Sequence, residues 1–313
     1  MISVICPVYN ESDNIEKILD FFINAKPDDK ELIIIDGGST DGTREVVLSW
    51  SRCYDNIILL NNPKKYVPFG LNLAIKLSKG NPIVRLDGHS NYSPDYFEKI
   101  LETFDKSGAD VVGGPMNAVG KTVVQKAIAY ATSTIFGTGN SKIHNINFEG
   151  YSDHVYLGAW YKEIFEELGN FDERLKVNHD DDFSYRARSK GKKIFLNPEI
   201  KSYYFPRSTL IDLLKQYFLY GFEKPMVSKN VISELKFRHI IPPLFSIYFL
   251  CLPFYFLYPI LFIPLLSYLF LNIYFSLIKS KQKLSTRFLT LVVYPIIHIS
   301  YGLGYILGIK NIF

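Results

Sequence analysis

Three acidic stations in this 313-residue chain have the residue types and spacing that chemistry needs. Asp36 stands in the run IIIDGGSTDGT, Asp87 in LDGH with His89 two residues on, and Asp180 in the knot His179-Asp180-Asp181-Asp182. One carboxylate at a strand end is common. Three, one of them in an Asp-x-His arrangement, point to a site for a nucleoside diphosphate and a divalent metal, because magnesium and manganese take oxygen ligands and share them with phosphates. Manganese also accepts imidazole, so His89 is a candidate ligand, with a plain surface-turn residue as the alternative. No G-x-G-x-x-G follows the first strand and no G-x-x-x-x-G-K-S/T occurs, so the phosphate cradles of dinucleotide and P-loop proteins are missing. An Asp-Gly-Gly turn repels a bare phosphate; Asp36 is therefore expected to meet a nucleobase or ribose.

These residues need strands and helices to position them. Ile33, Ile34 and Ile35, following Leu32, read as a strand buried on both faces of a parallel sheet, ending at Asp36. Ser39, Thr40 and Asp41 are candidate N-caps for a helix through Arg44 to Trp50. A plain turn between strand and helix is the alternative for DGGS alone. Ile2 to Val8 reads as a first strand, Ile57 to Leu60 as a third and Pro82 to Leu86 as a fourth, with helices between them. Pro94 is placed as the first residue of a helix whose apolar stripe is Phe97, Ile100, Leu101 and Phe104. Strands alternating with helices predict an α/β fold with a mostly parallel sheet. In such folds ligands bind at the carboxyl ends of the strands.

The chain changes character near residue 239. Ile240 to Ile278 is a run of 39 residues without a charge, enough for two helices with Pro253, Pro259 or Pro264 at or near the turn. A second apolar run, Phe288 to Ile309, is expected to span the bilayer or to lie in its interface. Lys236 and Arg238 before the first run, and Lys279, Lys281, Lys283 and Arg287 after it, put both flanks on the cytoplasmic side. The expected division is a soluble domain over 1–230, with a nucleotide half (1–112) and an acceptor half (113–230), then membrane-associated helices over 231–313. Three widely spaced cysteines imply no disulfide framework, and a net charge of +4 is too mild for a nucleic-acid partner. Met1 leads directly into a strand without a basic segment, so no signal peptide is expected.

PVYNE (Pro7 to Glu11), DGGSTDGT (Asp36 to Thr43), Asn72 in GLNLAI and LDGH (Leu86 to His89) resemble the family 2 inverting glycosyltransferases of GT-A fold. The runs YLGAWYKEIFEELGNFDE and NHDDDFSYRARSKGKKIFLNP resemble that family's acceptor half. FPRSTLIDLLKQYFLYG with its apolar tail is similar to the membrane-associated branch typified by succinoglycan-biosynthesis glucosyltransferases. The resemblance implies that Pro7, Tyr9, Glu11, Asn72 and Asp87 frame the nucleotide of a UDP-sugar and that Asp36 binds the base. It implies that Asp87 and His89 hold a manganese or magnesium ion at the diphosphate, His89 standing where the family has a second Asp. Asp180 matches the Asp of the family's Glu-Asp base pair, with His179 in the Glu position. Asp181 and Asp182 would raise its pKa by like-charge repulsion, although a solvated helix N-terminus suits Asp182 better.

Gly158, Trp160, Asp181 and Gln216 are the acceptor-side candidates. Trp160 could equally be core packing, and Gln216 lacks the Arg-Trp pair of processive members, so the expectation is one-sugar transfer. The implied reaction moves a hexose, glucose by the resemblance, to a lipid-linked oligosaccharide in exopolysaccharide or capsule synthesis at the cytoplasmic membrane face. Transfer to a polyprenyl phosphate, with Lys224, Lys229, Lys236 and Arg238 at the site mouth, is one rival. An inert sugar-nucleotide-binding membrane scaffold is the other.

Overall fold

The computed structural model describes residues 1–228, 235–252 and 258–312. The chain forms two units: Met1–Asn117 with Asn145–Tyr204, and Ala118–His144 with Phe205–Phe313. In chain order the elements are β1 (Ile2–Val8), α1 (Ile15–Asn24), β2 (Lys30–Asp36), α2 (Thr43–Ser51), β3 (Ile57–Asn61), α3 (Val67–Leu77), β4 (Ile83–Arg85), β5 (Ser90–Tyr92), α4 (Tyr96–Ser107), β6 (Val111–Gly114) and β7 (Met116–Ala118). Then come α5 (Val123–Ser133), α6 (Ile135–Thr138), β8 (Gly150–Tyr151), β9 (Tyr156–Trp160), α7 (Glu163–Leu168), α8 (His179–Ser189), β10 (Ile194–Leu196), β11 (Ser202–Tyr204), α9 (Leu210–Ser228), α10 (Phe237–Leu250), α11 (Ile263–Ile273) and α12 (Leu284–Gly308).

The first unit is built on an eight-stranded sheet of order β3-β2-β1-β4-β9-β6-β10-β8, with a small β5-β11-β7 sheet beside it. All seven residues of β2 are buried, as an apolar β-branched strand between two parallel neighbours must be. Strands β3, β2, β1 and β4 run parallel, whereas β9 enters antiparallel between β4 and β6. The register places the site. Val8 pairs with Asp36 and Ile5 with Arg85, so the loops that follow these strands open at one edge of the sheet. Helices α1 and α4 cover one face through Ile15, Leu19, Phe22, Phe97 and Ile100, all buried in one core. Helix α4 starts at Tyr96, and Pro94 sits in the turn before it.

The second unit is helical. Its core joins Ala127 and Ile128 of α5, Leu213 of α9 and Val293, Tyr294 and Ile297 of α12. Helix α12 packs closely because it carries glycines. A Cβ on Gly304 would lie 2.1 Å from the Phe218 carbonyl of α9, and one on Gly302 would lie 2.3 Å from the Pro242 carbonyl of α10. These contacts explain why the division differs from the expected boundary at 230: residues 118–144 and 205–228 belong with the C-terminal helices, not with the sheet.

Two of the described helices are long and apolar enough to cross a bilayer, Pro259–Ile278 with 20 residues and Leu284–Asn311 with 28. The first is α11 extended by a 3₁₀ turn that opens at Pro259 and by a π turn ending at Ile278. The final apolar run therefore lies within a helix of spanning length, while α10, at 14 residues, is shorter than a crossing needs. Pro253 and Lys229 lie outside the described residues.

Candidate active site

The loops after β1 and β2 are clamped to each other. Ser12 N–H donates to Asp41 Oδ2 (2.9 Å), Glu11 N–H to Thr43 Oγ1 (2.8 Å), Asn10 N–H to Ser39 Oγ (2.9 Å) and Thr40 N–H to Asn10 Oδ1 (2.9 Å). Asp41 also accepts from the Thr43 hydroxyl and N–H, so it starts α2 from one residue before the Gly42 N-cap. The Thr43 hydroxyl bond, above all, holds the Asp41 carboxyl well below the usual carboxylate range. PVYNE and DGGSTDGT are thus one rigid cradle. Pro7 sits within β1 opposite Ile35, and Tyr9 stands exposed beside Gly37.

Asp36 faces inward. It is 1% exposed; Oδ1 accepts from Ser39 N–H (3.0 Å) and Oδ2 from Arg44 Nη1 (3.2 Å). Each oxygen thus holds one contact within the turn and keeps acceptor capacity beyond it. Asn72 also makes its contacts within the chain. Its Nδ2 donates to the Phe171 carbonyl (2.9 Å) and Glu173 Oε1 (3.2 Å), and its Oδ1 accepts from Phe171 N–H (3.0 Å). It ties α3 to the loop before α8 and borders a cavity of about 360 Å³ lined by Phe69, Lys76, Phe165 and Glu173.

Trp160 takes the packing role. It is 4% exposed, with Phe165, Phe171 and Phe183 edge-on at 5.7–6.2 Å. Gly158 lies beneath its ring, where a Cβ would approach Trp160 Cζ2 to 2.6 Å. Neither residue offers a face to a saccharide. Gln216 is in the second unit, on α9, where its Nε2 donates to the Tyr220 hydroxyl (2.9 Å).

The LDGH turn follows β4. Tyr92 locks it from β5, its hydroxyl accepting from Asp87 N–H (2.7 Å) and donating to the Asp87 carbonyl (3.2 Å). Burial, reinforced by the Asp87 charge, pushes the Tyr92 hydroxyl well above its ordinary pKa, so it stays a donor. Gly88 lets the turn approach β1: a Cβ there would meet Glu11 Cγ at 3.1 Å and Val8 Cγ1 at 3.2 Å. Glu11 Oε1 lies 3.2 Å from His89 Nδ1, a carboxylate–imidazole contact of the kind that orients metal-binding histidines. One carboxylate and one imidazole suit manganese better than magnesium. Among the described residues no three His, Cys, Asp or Glu side chains converge as a metal cage. Asp87 and His89 are the carboxylate and imidazole of this turn that would hold a divalent metal together with a diphosphate and water.

Arg85 joins this turn to the acidic knot. Its Nη1 donates to Asp180 Oδ1 (2.8 Å) and Oδ2 (2.7 Å), while Nη2 and Nε donate to Asp87 Oδ1 at 3.1 and 3.3 Å. Asp180 occupies the first turn of α8, where the helix dipole favours a carboxylate. Burial pushes its pKa up, but the Arg85 charge, then His179 and the Arg85 hydrogen bonds, outweigh that and leave it lowered. Asp181 does raise it, as like charges must, and is the smallest contribution. The expected net rise is therefore replaced by a fall, because the Arg85 guanidinium donates directly to both Asp180 oxygens. Asp181 Oδ1 lies 3.9 Å from His154 Nε2. Asp182 is buried and paired with Arg186 Nε (2.9 Å), not solvated.

Arg85 and Tyr92 escape the sequence reading. The signal for Arg85 was a single charge inside the apolar strand IVRL; nothing local marks Tyr92.

Comparisons with known proteins bear on the family and the fold. Residues 3–187 match Glycosyl transferase family 2. The chain is 32% identical over 221 residues to the Succinoglycan biosynthesis protein ExoA of Rhizobium meliloti (strain 1021), covering 70% of this chain and 67% of that protein. It is 27% identical over 240 residues, 73% of this chain and 74% of that one, to the Dolichyl N-acetyl-alpha-D-glucosaminyl phosphate 3-beta-D-2,3-diacetamido-2,3-dideoxy-beta-D-glucuronosyltransferase of Methanococcus voltae. In fold it is similar to the Mannosyltransferase PcManGT from Pyrobaculum calidifontis, solved with GDP-Man and Mn2+. That match has a TM-score of 0.61 at 16% identity and covers 99% of this chain and 87% of that one.

Proposed function

The chain belongs to glycosyl transferase family 2 and has the GT-A fold, and we propose that it moves a hexose from a nucleoside-diphosphate sugar to a hydroxyl of a lipid-linked saccharide, with inversion. The observation that carries this reading is the single guanidinium of Arg85 spanning Asp87 and Asp180. It brings a diphosphate-side carboxylate and a deprotonated carboxylate to one place at the strand ends. A donor would sit in the PVYNE and DGGS cradle, its base against exposed Tyr9, with Asp36 acting through the turn it holds. Asp180 would take the proton of the attacking hydroxyl as general base. Attack opposite the diphosphate in one displacement then turns an α-linked donor into a β-glycoside. A manganese ion held by Asp87 and His89 would neutralise charge on the leaving diphosphate.

Uridine is the proposed nucleotide and glucose the proposed sugar, by likeness to the succinoglycan protein. The archaeal relative, whose printed substrate is a dolichyl-linked sugar phosphate, supports a lipid-linked acceptor, as do two helices of spanning length in this chain. The catalytic unit is proposed to face the cytoplasm, on the positive charge of Lys236 and Arg238 that precedes the first apolar run.

The test is release of nucleotide from a panel of UDP- and GDP-sugars by the full chain in detergent, with manganese or magnesium and a membrane-lipid extract. Metal-dependent release from one donor, lost in Asp180→Asn while nucleotide binding persists, is the expected result. Binding without release from any donor, lipid present, would favour an inert scaffold.

A further inference from the structure

Arg85 is a charged residue of this site with no role yet in the reaction. Its side chain is 9% exposed at the end of β4, so its position is set by the sheet. Desolvation opposes its charge, but the charges of Asp180 and Asp87 exceed that effect and keep it cationic. A guanidinium is a planar fork with five donors, able to serve two carboxylates at fixed angles. Here one side of the fork takes Asp87 Oδ1 and Nη1 takes both oxygens of Asp180. Asp180 is 39% exposed on the first turn of α8, 95 residues away in sequence. Arg85 thus links it directly to the strand that carries the diphosphate turn.

We propose that Arg85 is a positioning residue of the transfer reaction, holding the Asp180 carboxylate at a fixed offset from Asp87 so that the acceptor hydroxyl meets a base already oriented. This rests on Asp180 being the base. Arg85 acts through Asp180 and need not touch either substrate. Its fork is what matters: an ammonium supplies the charge as a point and cannot fix both carboxylates at once.

The experiment is a double-mutant cycle on the full chain in detergent, using Arg85→Gln, Asp180→Asn and the pair. It reads kcat and KM with the donor that turns over, and UDP–Mn2+ affinity by calorimetry. Misplacing a catalytic group by about 1 Å costs on the order of 10²-fold, so Arg85→Gln is expected to lower kcat by about that factor. Affinity for UDP–Mn2+ is expected to fall much less than kcat, since Arg85 donates to Asp87 Oδ1 alone but to both oxygens of Asp180. The double variant is expected to be far less slow than the product of the two single effects, because most of what Arg85 does runs through the base.

Arg85→Lys guards against misfolding of the glutamine variant: it keeps the charge and should bind UDP–Mn2+ normally while remaining at least about tenfold slow. Full kcat in Arg85→Gln or Arg85→Lys would overturn the proposal. So would a double variant slower by the product of the two single effects. Full activity in Asp180→Asn is a different failure; it removes the base reading itself, whatever Arg85 does.

Discussion

Asn72→Ala should cost stability and spare nucleotide binding, the opposite of what a nucleotide ligand would do. The side chain makes two buried bonds to the backbone of Phe171, one given at 2.9 Å and one accepted at 3.0 Å. Removing it leaves an N–H and a carbonyl without those partners, at about 1–3 kcal/mol for each buried group left unsatisfied. The adjoining cavity of about 360 Å³ is lined by Lys76, Glu166 and Glu173 and admits water to the vacated site, which sets the cost at the low end. The expected loss is then about 2–3 kcal/mol. For a domain of this size each kcal/mol lowers Tm by about 2–4 °C, so the shift is about 4–12 °C. Differential scanning fluorimetry of the detergent-solubilised chain reads it, with UDP–Mn2+ affinity measured well below the lowered Tm. An unchanged Tm with a tenfold weaker nucleotide would refute the reasoning and return Asn72 to the nucleotide.

The lowered pKa of Asp180 fixes the sign of a pH effect. A base must be deprotonated, so kcat falls only as pH drops through its pKa, here below the usual aspartate value of about 3.9. A pH–kcat profile should therefore stay level from neutrality down to about pH 5; an acid limb at pH 6 to 7 would mean that desolvation defeats Arg85. In the second unit, Gly304→Leu forces a side chain to within 2.1 Å of the Phe218 carbonyl. It should destabilise the α9–α12 pair by about 1–3 kcal/mol or more, seen as a lower Tm in detergent, and an unchanged Tm would contradict the packing described.

Much of the fold was legible because its signals are local. A β-branched apolar run ending in Asp-Gly-Gly reads as a buried strand and a turn, and IIIDGGST is that in the structure. The LDGH turn and the acidic start of α8 were visible for the same reason. What was not legible depends on partners far away in sequence. Asn72 looks like a ligand on a helix until Phe171, 99 residues on, claims its amide. The bonds of Asp36 to Arg44 and Ser39, which fix its turn, are not marked by any local pattern. Trp160 looks like a sugar platform until three phenylalanines enclose it. Arg85 shows locally only as a single charge in an apolar strand, and its partner arrives 95 residues on, on α8. The glycines of α12, which weaken it as an apolar run, are the residues that let α9 and α10 approach it.

The most direct test of the account is the anomeric configuration of the product formed from a donor of known configuration, read by the proton coupling constant at the new glycosidic bond before any equilibration. Asp180 as base in a single displacement predicts inversion, a β-glycoside from an α-linked nucleotide sugar. An α-glycoside from the same donor would contradict it, because retention requires either a second displacement or attack from the face of the leaving diphosphate.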